Sequence, residues 1–258
     1  MSDGPDRRRW LAAAGASVAG LWLSACDRLV RDPGVARTIQ RAEDLTMAVQ
    51  RAVTDRKALA REFPAADISR DFRANGSIGP GDADYVALRD TAFEGYRLTV
   101  DGLVARPLEL TLADLRAQPS RTQITRHDCV EGWSSIGKWT GAKLAPLLDR
   151  AGLKPEARYL VFHCFDTLDP NDPRGGKYYE SIDLIDAFHP QTILAYDMND
   201  RPLPVPHGAP LRLRVERQLG YKHAKYIHRI EAVADFAHLG RGKGGFWEDR
   251  GYEWYAGI

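Results

Sequence analysis

Apolar positions along this chain recur at two spacings, and each predicts a different kind of element. From Arg31 to about Ala60 the sequence is charged and Ala-rich, with Ile39, Leu45, Met47, Val49 and Val53 loosely at helical spacing, which predicts a helix or spacer. Phe72 to Asp84 (FRANGSIGPGDAD) collects Asn, Gly, Pro and Asp and reads as loop. Tyr96 to Val104 (YRLTVDGLV) alternates Leu98 and Val100 with polar neighbours and turns at Asp101-Gly102. With Leu108 to Leu112 behind it, it predicts a hairpin, followed by a short helix beginning near Leu112. The runs Tyr159 to Cys164, Thr192 to Tyr196, Leu211 to Val215 and Ile227 to Val233 are short and rich in β-branched or aromatic residues, as strands are. Gly141 to Ala151 and Ser181 to Phe188 read as helices, the second with Ser181 as N-cap and Asp183 in its first turn. The sum is a mixed α+β domain with no internal repeat and no low-complexity tract.

Length and composition narrow the class. At 258 residues, with 44% hydrophobic and 28% charged residues, the chain suits one domain with an N-terminal extension and a proper core. Its net charge of +1 and its scattered arginines give no footprint for nucleic acid. The cysteines, Cys26, Cys129 and Cys164, are too few and too far apart for a disulfide scaffold or a zinc module. No CxxCH haem-attachment pair and no ferredoxin-like cysteine run is present.

The first thirty residues read as an address. Arg7 to Arg9 lead into Trp10 and Leu11, and an apolar stretch runs to Ala25, the layout of an export signal. The order of those residues resembles the twin-arginine consensus, whose pathway carries proteins already folded around a cofactor. Leu23-Ser24-Ala25-Cys26 matches a lipobox, which makes Cys26 a diacylated anchor, and Asp27 favours retention at the inner membrane. The plainer alternative is a cleaved or uncleaved signal with an incidental cysteine. The expected organisation is an export signal over 1–25, a spacer over 26–65 and a catalytic domain over 66–258, in the periplasm.

Ile124 to Ser135 (ITRHDCVEGWSS) is a strand ending in Cys129 and a polar turn. A cysteine so placed is a nucleophile, a metal ligand or a core residue, and its own segment does not choose among them. The block Arg126 to Trp133 (RHDCVEGW), with Trp139 and Gly141, resembles the metal-ligand segment of the sulfite oxidase superfamily of molybdopterin-dependent oxidoreductases, its bacterial protein-methionine-sulfoxide reductase branch in particular. A second block, Pro204 to Tyr226 (PVPHGAPLRLRVERQLGYKHAKY), resembles the same family's pterin-phosphate segment, and its Arg212, Lys222, His223 and Lys225 suit an anionic phosphate.

The resemblance covers about Asp71 to Val233 and implies a single sulfite-oxidase-type domain of mixed sheets with flanking helices. It implies that Cys129 is the one protein ligand to molybdenum, a soft thiolate suited to a metal that changes oxidation level. It further implies pterin contacts from Asn75, Cys164, His207, Arg212, His223, Ala224 and Lys225. His207 stands where close relatives often carry Asn, and Cys164 where the reductase branch has Thr. Glu131, Trp133 and Arg126 are weaker candidates for shaping the pocket. Each also has a plain reading: Arg212 and Arg214 on a solvated strand face, Lys222 and Lys225 on an exposed charged face, Cys164 in the core or paired with Cys129.

The implied activity is oxygen-atom transfer on a small sulfur- or nitrogen-oxide substrate, either sulfoxide reduction or sulfite oxidation, with one molybdopterin per chain. Electrons would be exchanged with an external carrier, a membrane or soluble cytochrome. About 25 residues follow the last strand, too few for the sandwich of about 100 residues that animal-type members add. A non-catalytic ligand-binding lipoprotein on the same fold and a Cys129-dependent hydrolase are the alternatives. The tail Gly240 to Ile258, rich in Gly and aromatics, either covers the domain or docks a partner.

Overall fold

The computed structural model describes residues 32–173 and 176–258, so the expected export signal and Cys26 lie outside the described residues. The chain divides into two units between Val53 and Thr54. The first carries helix α1 (Pro33–Val53), entered through Asp32, whose carboxylate accepts from the Gly34 and Val35 N–H groups at 2.8 and 3.1 Å. Ile39, Leu45, Val49 and Val53 on it are exposed. Among the described residues no helix is long and apolar enough to cross a membrane.

The second unit is built on two five-stranded sheets. In the first, β1 (Leu98–Gly102) and β2 (Leu108–Leu110) form the hairpin that the alternation predicts, and α3 (Leu112–Ala117) follows with a capping box between Thr111 and Asp114. β1 pairs in parallel with β10 (Ile227–Val233), and β5 (Tyr159–Thr167) and β6 (Lys177–Asp183) complete the order β2-β1-β10-β5-β6. The second sheet runs β3 (Ser120–Asp128), β4 (Ser134–Lys143), β7 (Ile193–Met198), β8 (Arg201–Pro202), with β9 (Arg212–Arg214) also on β7. The remaining helices are α2 (Ala83–Asp90), α4 (Leu144–Ala151) and α5 (Leu184–Ala187).

One apolar core joins residues of both sheets with α4: Leu98, Val100, Phe162 and Ile230 from the first sheet, Leu194 and Leu213 from the second, Leu144, Leu147 and Leu148 from the helix. A smaller cluster, Trp139, Ile193, Ala195 and Met198 with Phe72 against it, lies on the second sheet. The mixed α+β class read from the pattern is therefore the fold.

Two expectations are corrected. Gly141 to Lys143 belong to β4 rather than to a helix, and the helix starts at Leu144. A Cβ at Gly141 would stand 2.3 Å from the Leu194 carbonyl oxygen, so a glycine is needed where β4 shifts register against β7. Ser181 lies inside β6, and the cap of α5 is Asp183, whose carboxylate accepts from the Asp186 N–H at 2.8 Å.

Candidate active site

Cys129 opens the connection between β3 and β4. Its N–H donates to the Trp133 carbonyl at 2.9 Å, its carbonyl accepts from Gly132 at 3.0 Å, and Gly132 takes a φ of +85°. That tight turn fixes the Cys129 backbone at the end of a long, fully paired hairpin. The thiol is buried and free, and the Asn75 side-chain amide donates to it at 3.9 Å. Burial pushes the thiol up from its ordinary value, against the pull of the Glu131 backbone N–H and of Asn75.

A cavity of about 110 Å³ adjoins the sulfur. Asn75, Cys129, His223 and Lys225, four of the residues picked out by resemblance, line it together, and Glu131 does so too. The segment reaching in from the second block is held by its own contacts. The Lys225 ammonium donates to the carbonyls of Asn75 at 2.7 Å, of Pro206 at 3.2 Å and of Ser77. Burial, with Arg212 nearby, pushes Lys225 down to about 7. His223 Nε2–H donates to the Gln218 carbonyl at 3.0 Å, and burial with Arg214 lowers the ring well below its ordinary value. Gly220 passes so close to His127 that a Cβ there would stand 2.6 Å from its Nε2.

Arg212, His207, Ala224 and Cys164 do not line this cavity. Arg212 is buried on β9, stacks its guanidinium over Trp139 at 4.9 Å and donates to the His207 carbonyl at 2.9 Å. Burial and Arg214 push it down to about 9. The His207 ring packs edge-on against Phe72, and burial lowers it to about 4. Ala224 is fully buried, and its carbonyl accepts from Leu213. Cys164 sits in the main core, unpaired with Cys129, and lines a second cavity of about 300 Å³. Tyr178 lines both cavities.

Three sequence candidates stand elsewhere. Arg126 is on the exposed face of β3, paired with Asp128 at 2.8 Å. Trp133 donates to Glu131 at 3.1 Å but does not line the cavity. Lys222, read as a phosphate-facing cation, is fully buried and bound by Glu180 and Glu248 at 2.5 and 2.6 Å, so its charge is already matched. Arg214, far from being solvated, is fully buried between Glu216 and His127.

Sequence reasoning missed Ser77, Asp166, Tyr178, Tyr221, Trp247 and Tyr252, all of which line the cavity. The aromatic tail was the one visible signal for the last two. Ser77 Oγ, Asp166 Oδ1, His223 Nδ1 and Arg212 Nε are buried polar atoms without a hydrogen-bond partner. Such atoms are costly unless a ligand satisfies them, and a pterin with its phosphate offers both donors and acceptors. The donor set therefore fits a polar, anionic cofactor beside a cysteine sulfur. Among the described residues no group of three or more His, Cys, Asp or Glu side chains converges as a metal site, so a metal at Cys129 would take its other donors from a non-protein group.

A buried thiol facing such a cradle defines a cofactor-dependent redox domain. Residues 85–238 match the oxidoreductase molybdopterin binding domain. The chain is 34% identical over 253 residues, 98% of its length and 88% of the relative's, to a protein of Azospira oryzae named as a protein-methionine-sulfoxide reductase subunit, YedZ1. Among solved structures, the sulfane dehydrogenase SoxCD of Paracoccus pantotrophus is similar at 25% identity and a TM-score of 0.47, over 54% of this chain and 38% of that one. The chain belongs to the molybdopterin-binding oxidoreductases of the sulfite oxidase family and is a molybdenum-dependent oxidoreductase.

Proposed function

We propose that this chain is the catalytic subunit of an exported reductase that removes oxygen from sulfoxides, with Cys129 as the protein ligand to molybdenum. The observation that carries the reading is that Cys129 lines the same cavity as Lys225, His223 and Asn75, whose amide donates to the Cys129 sulfur at 3.9 Å. The name of the Azospira relative points to the sulfoxide side of the family's chemistry. When bound, the molybdenum-pterin group supplies two-electron oxygen-atom transfer.

The protein's part is to hold and surround that group. His223 and Lys225 line the cavity, Arg212 adds its charge near Lys225, and Ser77 and Asp166 offer unpartnered oxygens. Asn75, Cys164, His207 and Ala224 complete the proposed set of cofactor contacts, Cys164 from the second cavity. The tight turn at Gly132 fixes the backbone from which Cys129 projects. Electrons are taken from a separate carrier, a cytochrome being the natural class, since the sequence holds no haem-attachment pair of its own. Arg7 to Arg9 and the Cys26 lipobox support folding in the cytoplasm, export to the periplasm and anchoring by acyl chains.

The test uses protein made with its export pathway intact. Wild type is expected to contain about one molybdenum per chain and to reduce sulfoxides with an artificial electron donor, and Cys129→Ser to lose both metal and activity. Full metal content in Cys129→Ser would remove the ligand assignment. Sulfite oxidation without sulfoxide reduction would reverse the proposed direction.

A further inference from the structure

Most of the C-terminal tail lies beyond the family's matched residues 85–238, yet it reaches the Cys129 cavity. Trp247 and Tyr252 both line that cavity, and their rings stack at 5.3 Å with an interplanar angle of 28°. Tyr252 also meets Tyr221, another lining residue, edge-on at 5.2 Å. The Tyr252 N–H donates to the Trp247 carbonyl at 3.1 Å, closing a tight turn through Gly251, whose φ is +104°. The pair is therefore set by its own backbone rather than draped loosely across the opening.

Anchors on both sides keep the tail in place. Glu248 reaches the buried Lys222 ammonium, and Asp249 accepts from the Tyr179 hydroxyl at 2.7 Å. Beyond the pair, Trp254 Nε1 donates to Ser181 Oγ at 2.8 Å, the Tyr221 hydroxyl to the Glu253 carbonyl at 2.7 Å, and the Leu219 N–H to the Ala256 carbonyl at 2.9 Å. An aromatic wall held this firmly exists before any substrate arrives, so little ordering remains to be done on binding.

The wall's chemistry selects. Val130 and Leu168 add aliphatic surface to the lining, and Glu131 adds a carboxylate. Aromatic faces carry the negative side of the ring quadrupole and Glu131 adds a carboxylate, while Lys225, the cation in the same lining, is already bound by three backbone carbonyls, so a small dianion such as sulfite gains little from Trp247 and Tyr252. They favour a neutral hydrocarbon arm bearing sulfur, whose polarisable atom packs well against rings. We propose that Trp247 and Tyr252 are specificity-determining residues that seat the apolar arm of a neutral sulfoxide, its S–O group facing into the Cys129 cavity. The assignment deepens the sulfoxide-reductase reading and rests on it.

The experiment compares molybdenum-loaded, full-length wild type with Trp247→Ala, Trp247→Phe and Tyr252→Ala. Its substrates are N-acetylmethionine sulfoxide amide, which has an arm, and dimethyl sulfoxide, which has almost none. The ratio of kcat/KM for the first over the second is expected to fall about tenfold in Trp247→Ala, mostly through KM, and to recover in Trp247→Phe. Tyr252, a residue 39% exposed, reads the same ratio without opening the core. Calorimetric titration with N-acetylmethionine amide, the thioether product, should weaken by a similar factor without any turnover. An unchanged ratio together with unchanged thioether affinity overturns the wall. A wild type that reduces neither sulfoxide yet binds the thioether through Trp247 ends the reductase reading and keeps the wall; a wild type that reduces both, with a ratio indifferent to all three variants, ends the wall alone.

Discussion

Asp166 is 3% exposed, and one of its carboxylate oxygens has no partner. Burial pushes its carboxyl from 3.8 up to about 6, while Lys225 pulls the other way. For an acid whose folded value lies above its unfolded one, the unfolded chain gives up its proton first. The folded state is then at no disadvantage below about pH 4 and loses stability as the pH climbs through 6. In protein made without cofactor, Asp166→Asn should therefore stabilise at pH 7 and not at pH 4. A shift of about two units sets roughly 3 kcal/mol as the ceiling. Thermal melts of both proteins at the two pH values check the crossover, and an equal shift at both would refute a titration origin. The same residue shows what a motif can and cannot reveal. Asn75, Cys129, His223 and Lys225 stand in recognisable blocks and meet at one cavity. Ser77 sits two residues from Asn75 in the same loop, whereas Asp166 and Tyr178 come from strands with no motif of their own and reach the cavity only because β5 and β6 pair there.

Elements were legible where their buried face is apolar. The β1–β2 hairpin announces itself by alternating Leu98 and Val100 and β10 by its β-branched residues, but Asp101 and Gly102, read as the turn, belong to β1, and the chain turns after them. β4 is silent because its buried positions are Ser135, Gly137, Trp139, Gly141 and Ala142, of which only Trp139 is a large apolar residue. β3 hides differently: its inward Gln123, Thr125 and His127 are polar and meet Glu216, Gln191 and Arg214 from far along the chain, His127 through Nδ1 alone. β6 is buried on both faces, so it has no alternation to read. The hairpin that presents Cys129 thus depends on close backbone approach more than on side-chain burial. Gly141→Ala would drive a Cβ to 2.6 Å from Ala195 Cα and closer still to the Leu194 carbonyl. A loss of about 1–3 kcal/mol in urea unfolding is expected. Gly81→Ala, with nothing within 4 Å of its added Cβ, should stay within about 0.5 kcal/mol. Equal effects at the two glycines would mean that β4 and β7 can separate without cost.

At the scale of the whole molecule, the tail is tied to the body through a buried trio of charges. Lys222, Glu180 and Glu248 are each nearly inaccessible, and they come from a turn, from β6 and from the tail, 42 and 26 residues from the lysine. No local spacing could have joined them, which is why the lysine looked like a phosphate ligand in sequence. Burial pushes Lys222 down, but the two carboxylates more than offset this and leave it raised. Burial and the neighbouring Glu248 push Glu180 well above the usual carboxylate range. Removing the cation alone leaves two acids facing each other in the dry interior, and breaking a buried pair in this way costs about 3–5 kcal/mol. Lys222→Met should lose that much in chemical denaturation and should free the tail to proteases, with early cuts after Arg241 or Lys243 seen by mass spectrometry. Adding Glu180→Gln and Glu248→Gln removes the stranded charges, so the triple variant should regain most of the stability and protection. If Lys222→Met is as stable and as protease-resistant as wild type, the tail is held by its aromatic packing and backbone bonds instead, and the wall beside Cys129 owes nothing to the trio.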